Sequence, residues 1–231
     1  MPFASIRTSR RASASCLVGT NADIRWFEAD PTFVLHWINA YEDGDEVVLD
    51  GYFQVNPAPN APPDATIEQR MFRFLDNTTL GPKPYRWRLN MVTGAVNEGF
   101  LDDRTSEFGM INGRHWGRPY RYVYSMTNKP GWFLFDGIVR TDVSKGETQE
   151  YRFEDGVYGS ECPMAPRSGS TDEADGYLVT FTTDVVRDLS ECLVFDAQSI
   201  ADGPIARVRL PERISSGTHS YWMARDGTAA G

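Results

Sequence analysis

From Asp23 onward the chain is a succession of short runs rich in Val, Ile, Phe, Tyr and Trp, broken by Asp-Gly and Pro signals. ADIRWFEA, TFVLHWINAYE and DEVVLDGYFQ open the series. YRWRLNM and AVNEGFL flank Val92-Thr93-Gly94 and read as a hairpin. YRYVYSM, GWFLFDGIVRTDV and ETQEYRF follow, the last two joined by Ser144-Lys145-Gly146. GYLVTFTTD, ECLVFDA and IARVRL close it, with turns at Asp175-Gly176 and Asp202-Gly203-Pro204. TIEQRMFRFL is the one stretch that could form a helical turn or two, although the same letters could make another strand. Before it, the proline-rich NPAPNAPPDA (56–65) is expected as an irregular surface loop. Such runs, evenly spaced, predict an all-β fold: a sandwich, barrel or propeller. No fixed repeat period distinguishes among them.

Composition narrows the picture. The 231 residues suit one large domain or two small ones, and 20 Gly with 14 Pro suit a turn-rich β protein. No run approaches the ~20 apolar residues of a membrane-spanning helix. A net charge of −9 would repel nucleic acid, so no such partner is expected. The three cysteines, Cys16, Cys162 and Cys192, show no CxxC spacing and point to a reducing, cytoplasmic setting. Residues 1–18 are Arg- and Ser-rich and free of acids, but no apolar stretch follows Arg10-Arg11. They are expected to be a disordered tail rather than a targeting peptide.

Histidine is scarce enough to weigh one by one. His36 lies among large apolar residues in a predicted strand, and His219 follows Gly217, which permits close backbone approach. Each reads either as a core histidine satisfied by its surroundings or as a metal ligand. His115, between Arg114 and Trp116 in a predicted turn, reads as a surface residue. Among the carboxylates, Glu107 and Glu161 sit in small or apolar company, where a charge needs an assigned partner. A carboxylate holding a neutral imidazole is the usual support of a metal-bound histidine. No GxSxG elbow, phosphate loop, GxGxxG or HExxH is present.

Six stretches in order carry a family likeness. LHWINAYEDGDEVVLDG (35–51), SEFGMINGRHWGRPYRYVYS (106–125), KPGWFLFDGIVRTDVSKGETQEYRF (129–153), YGSECPMAPR (158–167), EADGYLVTF (173–181) and LPERISSGTHSYW (210–222) resemble consecutive motifs of the carotenoid cleavage oxygenases. That family includes carotenoid, apocarotenoid and lignostilbene dioxygenases. The resemblance implies a seven-bladed β-propeller with a non-haem Fe(II) held on its axis by four histidines. By motif, His36 and His219 correspond to the third and fourth iron ligands, and Glu107 and Glu161 to the glutamates that orient ligand histidines. The order of the motifs implies that Glu107 serves His36 and Glu161 serves His219. The implied reaction splits a C=C bond of an apolar conjugated substrate with O2 into two carbonyl products.

The departures are specific. Family members are roughly twice as long, and the first two ligand histidines belong to an N-terminal half that this sequence lacks. About the last four blades are expected, over residues 19–231, with the upstream half supplied elsewhere or lost. Gly109 stands where the family usually has proline, and Leu35 where it usually has phenylalanine. A non-catalytic remnant or interaction module is the competing expectation. A cupin-like site using His36, His219 and one glutamate is disfavoured, because the two histidines are 183 residues apart.

Overall fold

The computed structural model describes residues 25–215 and 217–223, together with the backbone of 12–16. Every strand pairing among them is antiparallel, in three sheets. Strands β1 (Ala12–Cys16) and β2 (Arg25–Ala29) form a two-stranded ribbon. Residues 12–16, expected within a disordered tail, thus supply backbone partners to β2, while 1–11 and 17–18 lie outside the described residues.

The second sheet runs β3 (Trp37–Asp43), β4 (Glu46–Gln54), β5 (Pro82–Asn90) and β6 (Val96–Phe100) in order. Alternation in β5 sends Tyr85, Trp87 and Leu89 into the core while Arg86 and Arg88 lie on the other face. The predicted hairpin between β5 and β6 forms, with the Asn90 side chain accepting the Val92 and Thr93 N–H groups and Gly94 at φ +78°. TIEQRMFRFL folds as helix α1 (Ile67–Phe72) and a 3₁₀ turn over 73–75. A reciprocal Thr66–Gln69 capping box decides helix against strand there.

The third sheet holds β7 (Ser106–Met110), β8 (Tyr122–Asn128), β9 (Phe135–Asp142), β11 (Val157–Gly159), β13 (Gly176–Asp184), β14 (Leu189–Asp196) and β15 (Pro204–Arg209). Two more strands attach to it, β10 (Glu147–Arg152) on β9 and β12 (Met164–Pro166) on β13.

The two large sheets pack through Ile38, Tyr41, Val48 and Tyr52 on one side and Ile111, Tyr120 and Val123 on the other. Buried polar groups are paired across that seam. The Tyr52 hydroxyl meets Ser125 Oγ at 2.6 Å, and Tyr120 donates to Asp50 at 2.6 Å while Arg86 holds the same carboxylate by two bonds of 2.8 Å. This seam fixes the start of β3 against β7, where the chemistry of interest lies.

Candidate metal centre

His36 does not lie within a strand as its neighbours predict. It occupies the residue before β3, where its carbonyl accepts the Tyr52 N–H at 3.2 Å and the β3–β4 register shifts between Trp37 and Asn39. That irregularity frees the ring to turn towards β7. Its Nδ1 meets Glu107 Oε2 at 2.8 Å. Glu107 is fully buried, and its Oε2 also accepts the Phe108 N–H at 3.0 Å. Its Oε1 has no partner among the described residues. Burial pushes the Glu107 carboxyl above its usual range, and the bond and charge of His36 draw it part of the way back.

Phe108 explains how β7 presents this carboxylate. It has φ +54°, a left-handed conformation costly for an aromatic residue, and the β7–β8 register shifts between Glu107 and Met110. The kink sends the Phe108 ring into the core, against Phe135 at 4.8 Å, and sets it beside both imidazoles. Ring centroids lie 4.6 Å from His36 and 5.4 Å from His219. Gly109 follows because a Cβ there would run into the Tyr52 hydroxyl and meet Ile38 Cγ1 at 2.8 Å. Sequence reasoning missed Phe108 as a shaping residue, since nothing in the letters SEFGM signals a positive φ at the phenylalanine.

His219 reaches the same place from the C-terminal segment. Its Nδ1 meets Glu161 Oε1 at 3.1 Å. Glu161, between β11 and β12, is buried, and it clamps that segment through three further bonds. Its Oε2 accepts the Ser220 N–H at 2.6 Å, its carbonyl accepts the Ser220 hydroxyl at 3.1 Å, and its N–H donates to the Thr218 carbonyl at 3.3 Å. The close approach expected of Gly217 is present, for a Cβ there would lie 3.2 Å from Ser160 Cβ.

The pairs are therefore His36 with Glu107 and His219 with Glu161. With each Nδ1–H given to a carboxylate, each Nε2 keeps a free lone pair for an ion. The imidazole centroids are 5.3 Å apart at an interplanar angle of 75°. Two imidazoles bound to one ion at ~2.1 Å through nitrogen would have centroids about 4.6 Å apart at a right angle and about 5.3 Å apart at the tetrahedral angle. The spacing fits two donors on a shared ion. Among the described residues no set of three His, Cys, Asp or Glu side chains converges as a metal site. The donor set thus fits two positions of a coordination shell. His115 stands apart, in a 3₁₀ turn (Gly113–His115), with Nδ1 donating to the Pro119 carbonyl at 2.8 Å.

A sequence profile of RPE65, the retinal pigment epithelial membrane protein, matches residues 8–224. The chain belongs to this family. Pea carotenoid 9,10(9′,10′)-cleavage dioxygenase 1 is 33% identical over 217 residues, covering 88% of this chain and 39% of that protein. Lignostilbene-α,β-dioxygenase isozyme III of Sphingomonas paucimobilis is 29% identical over 226 residues, covering 88% of this chain and 44% of the relative. The fold matches crystalline cobalt-substituted Synechocystis ACO with a TM-score of 0.79 at 24% identity, over 91% of this chain and 44% of that one. This family member therefore spans about two fifths of the length of the curated relatives it matches.

Proposed function

We propose that the chain carries half of the iron site of a dioxygenase that cleaves a C=C bond of a carotenoid, apocarotenoid or stilbene-type substrate. The spacing of two carboxylate-anchored imidazoles, 5.3 Å between centroids, is the observation that carries this reading. The similarity to carotenoid and lignostilbene dioxygenases supports it. In this reading residues 19–231 form about the last four blades of a seven-bladed propeller, and two further histidines come from a segment outside this sequence.

Fe(II), when bound, supplies the binding and activation of O2. The chain's own residues hold and shape. His36 and His219 donate through Nε2, and Glu107 and Glu161 keep the proton on Nδ1 so that Nε2 stays basic. Phe108 packs beside both rings and fixes their tilt. One C=C bond and one O2 become two C=O bonds, so no protein acid, base or nucleophile is required. Cys162 and Cys192 are free thiols, which suits a reducing cytoplasm, and no helix among the described residues is long and apolar enough to cross a membrane.

Co-expression with the N-terminal segment of Synechocystis apocarotenoid oxygenase, in the presence of Fe(II), tests the reading. Apocarotenoid and stilbene substrates should each be screened for paired carbonyl products by mass spectrometry. Cleavage that needs both pieces, and that His36→Ala or His219→Ala abolishes while His115→Ala spares, is the expected result. No cleavage, or cleavage indifferent to His36 and His219, would leave the non-catalytic module as the better account.

A further inference from the structure

We infer that Trp116 is a positioning residue for His219, and that the turn carrying it is a strut between the two segments that bear the histidines. The inference rests on the reading of His36 and His219 as donors to one ion. The turn follows β7 and is tied to β3 by one buried side chain, Asn39, three residues beyond His36. Asn39 Nδ2 donates to the His115 carbonyl at 3.1 Å and to the Arg118 carbonyl at 2.9 Å, and its Oδ1 accepts the Gly117 N–H at 3.1 Å. Both the donor and the acceptor atom of that side chain are thus spent on the turn. Trp116 lies between these anchored residues, and its ring stacks on Tyr221 with centroids 5.5 Å apart and planes 24° apart. Tyr221 is two residues beyond His219.

The strut answers a weakness in the mounting of His219. Its side chain is 67% exposed, and Glu161 holds the ring by one bond to Nδ1, about which it can pivot. Glu161 also ties Thr218 and Ser220, but no hydrogen bond among the described residues holds Tyr221. The stack on Trp116 supplies that hold and keeps the segment from swinging with its ring. With Ile111, Pro163 and Met164 the two stacked rings line a gap of about 10 Å³, room for one water at most, so little free space remains beside them. At its start the turn is braced by Asn112, whose side chain accepts the Arg114 N–H at 3.1 Å and donates to the Glu173 carbonyl at 2.9 Å. A turn fixed to β3 and stacked on the C-terminal segment couples the two imidazoles across their 5.3 Å separation. His115, no ligand in this reading, serves through its backbone carbonyl.

Hydrogen exchange and cobalt titration of the full chain test the inference, with circular dichroism as the check on folding. Trp116→Ala should speed amide exchange over residues 218–222 about five- to tenfold, the worth of one aromatic stack, and leave β3 and β7 as protected as before. It should weaken Co2+ binding about tenfold and shift the cobalt visible spectrum, and Trp116→Phe should restore both. Tyr221→Ala should reproduce Trp116→Ala, and the double variant should be no worse than either single one. In a His219→Ala background Trp116→Ala should leave the residual cobalt affinity unchanged, which a general loss of structure would not. Unchanged exchange over 218–222, protection lost equally in β3, no rescue by phenylalanine, or a further cobalt loss without His219 would each overturn the positioning role. The two readings fail separately. An unsubstituted chain that binds no cobalt, while Trp116→Ala still frees residues 218–222, sinks the shared ion and leaves the strut. Cobalt binding through both histidines that Trp116→Ala leaves untouched sinks only the strut.

Discussion

His36 with Glu107 and His219 with Glu161 make the same bond, but they are built by different means. Glu107 is 0% exposed and His36 20%, whereas Glu161 is 9% exposed and His219 67%. The first pair is a product of the fold: the seam between two sheets aims His36, and a kinked strand inserts Glu107 beneath it. The second is a product of a local clamp, in which one glutamate ties an extended segment through its backbone and side chain. Loss of the first pair should be felt by the whole protein. Loss of the second should be felt mainly by the ion.

Glu107→Ala makes the largest break. It removes a buried acceptor from both His36 and the Phe108 N–H, at a cost of about 2–3 kcal/mol in urea unfolding, whereas Glu161→Ala should cost about 1 kcal/mol. Equal losses would erase the contrast. The pH dependence sharpens it. Because burial raises the folded pKa of Glu107, the unfolded chain gives up this proton first as pH rises. The contribution of Glu107 is therefore complete below the ordinary carboxylate range and declines as pH rises through the folded value. Glu107→Gln, which cannot titrate, should flatten that decline, and an unchanged pH profile would count against the raised pKa.

Gly109→Ala tests the kink itself. The added methyl would strike the Tyr52 hydroxyl, so overpacking should cost about 1–3 kcal/mol. Tyr52→Phe removes the struck atom while also losing the bond to Ser125. In a double-mutant cycle the pair should cost less than the sum of the single changes. Strict additivity would show that Tyr52 does not enforce glycine at this position.

The strands and hairpin turns are legible in the sequence because each leaves a local mark, whereas His36, His219, Glu107 and Glu161 stand out as a set only through the resemblance of six ordered motifs to one family. Val- and aromatic-rich runs mark strands, Val92-Thr93-Gly94 marks a turn, and an isolated glutamate in small or apolar company marks a buried partner. What stays hidden depends on distant contacts. His36 falls just outside the strand, beside a register shift between Trp37 and Asn39 that no neighbouring letter announces, although its carbonyl still accepts the Tyr52 N–H from β4. Phe108 adopts φ +54° through packing against Phe135, His36 and His219, none of which its neighbours announce. The strand at 12–16 forms on the edge of β2, although its Ser- and Ala-rich letters carry weak strand preference. Glycine at position 109 has a similarly distant cause, since Tyr52 and Ile38 leave no room for a Cβ there.

The smallest expected effect on stability is the most informative about the ion. His219→Ala trims a ring that is two-thirds exposed, so the urea midpoint should move by no more than about 0.5 kcal/mol of stability. Glu161 keeps its bonds to the Ser220 N–H and hydroxyl and to the Thr218 carbonyl, and the C-terminal segment should stay in place. His36→Ala differs, because it strips the buried Glu107 of its only imidazole donor and should cost about 1–2 kcal/mol. Cobalt titration of the two folded variants completes the comparison. If both rings serve one ion, each loss should weaken binding alike, by tenfold or more on the scale known for disturbed metal shells, despite the unequal stability costs. Binding that tracks stability instead, falling for His36→Ala and holding for His219→Ala, would make His36 the sole ligand and His219 a surface ring beside it.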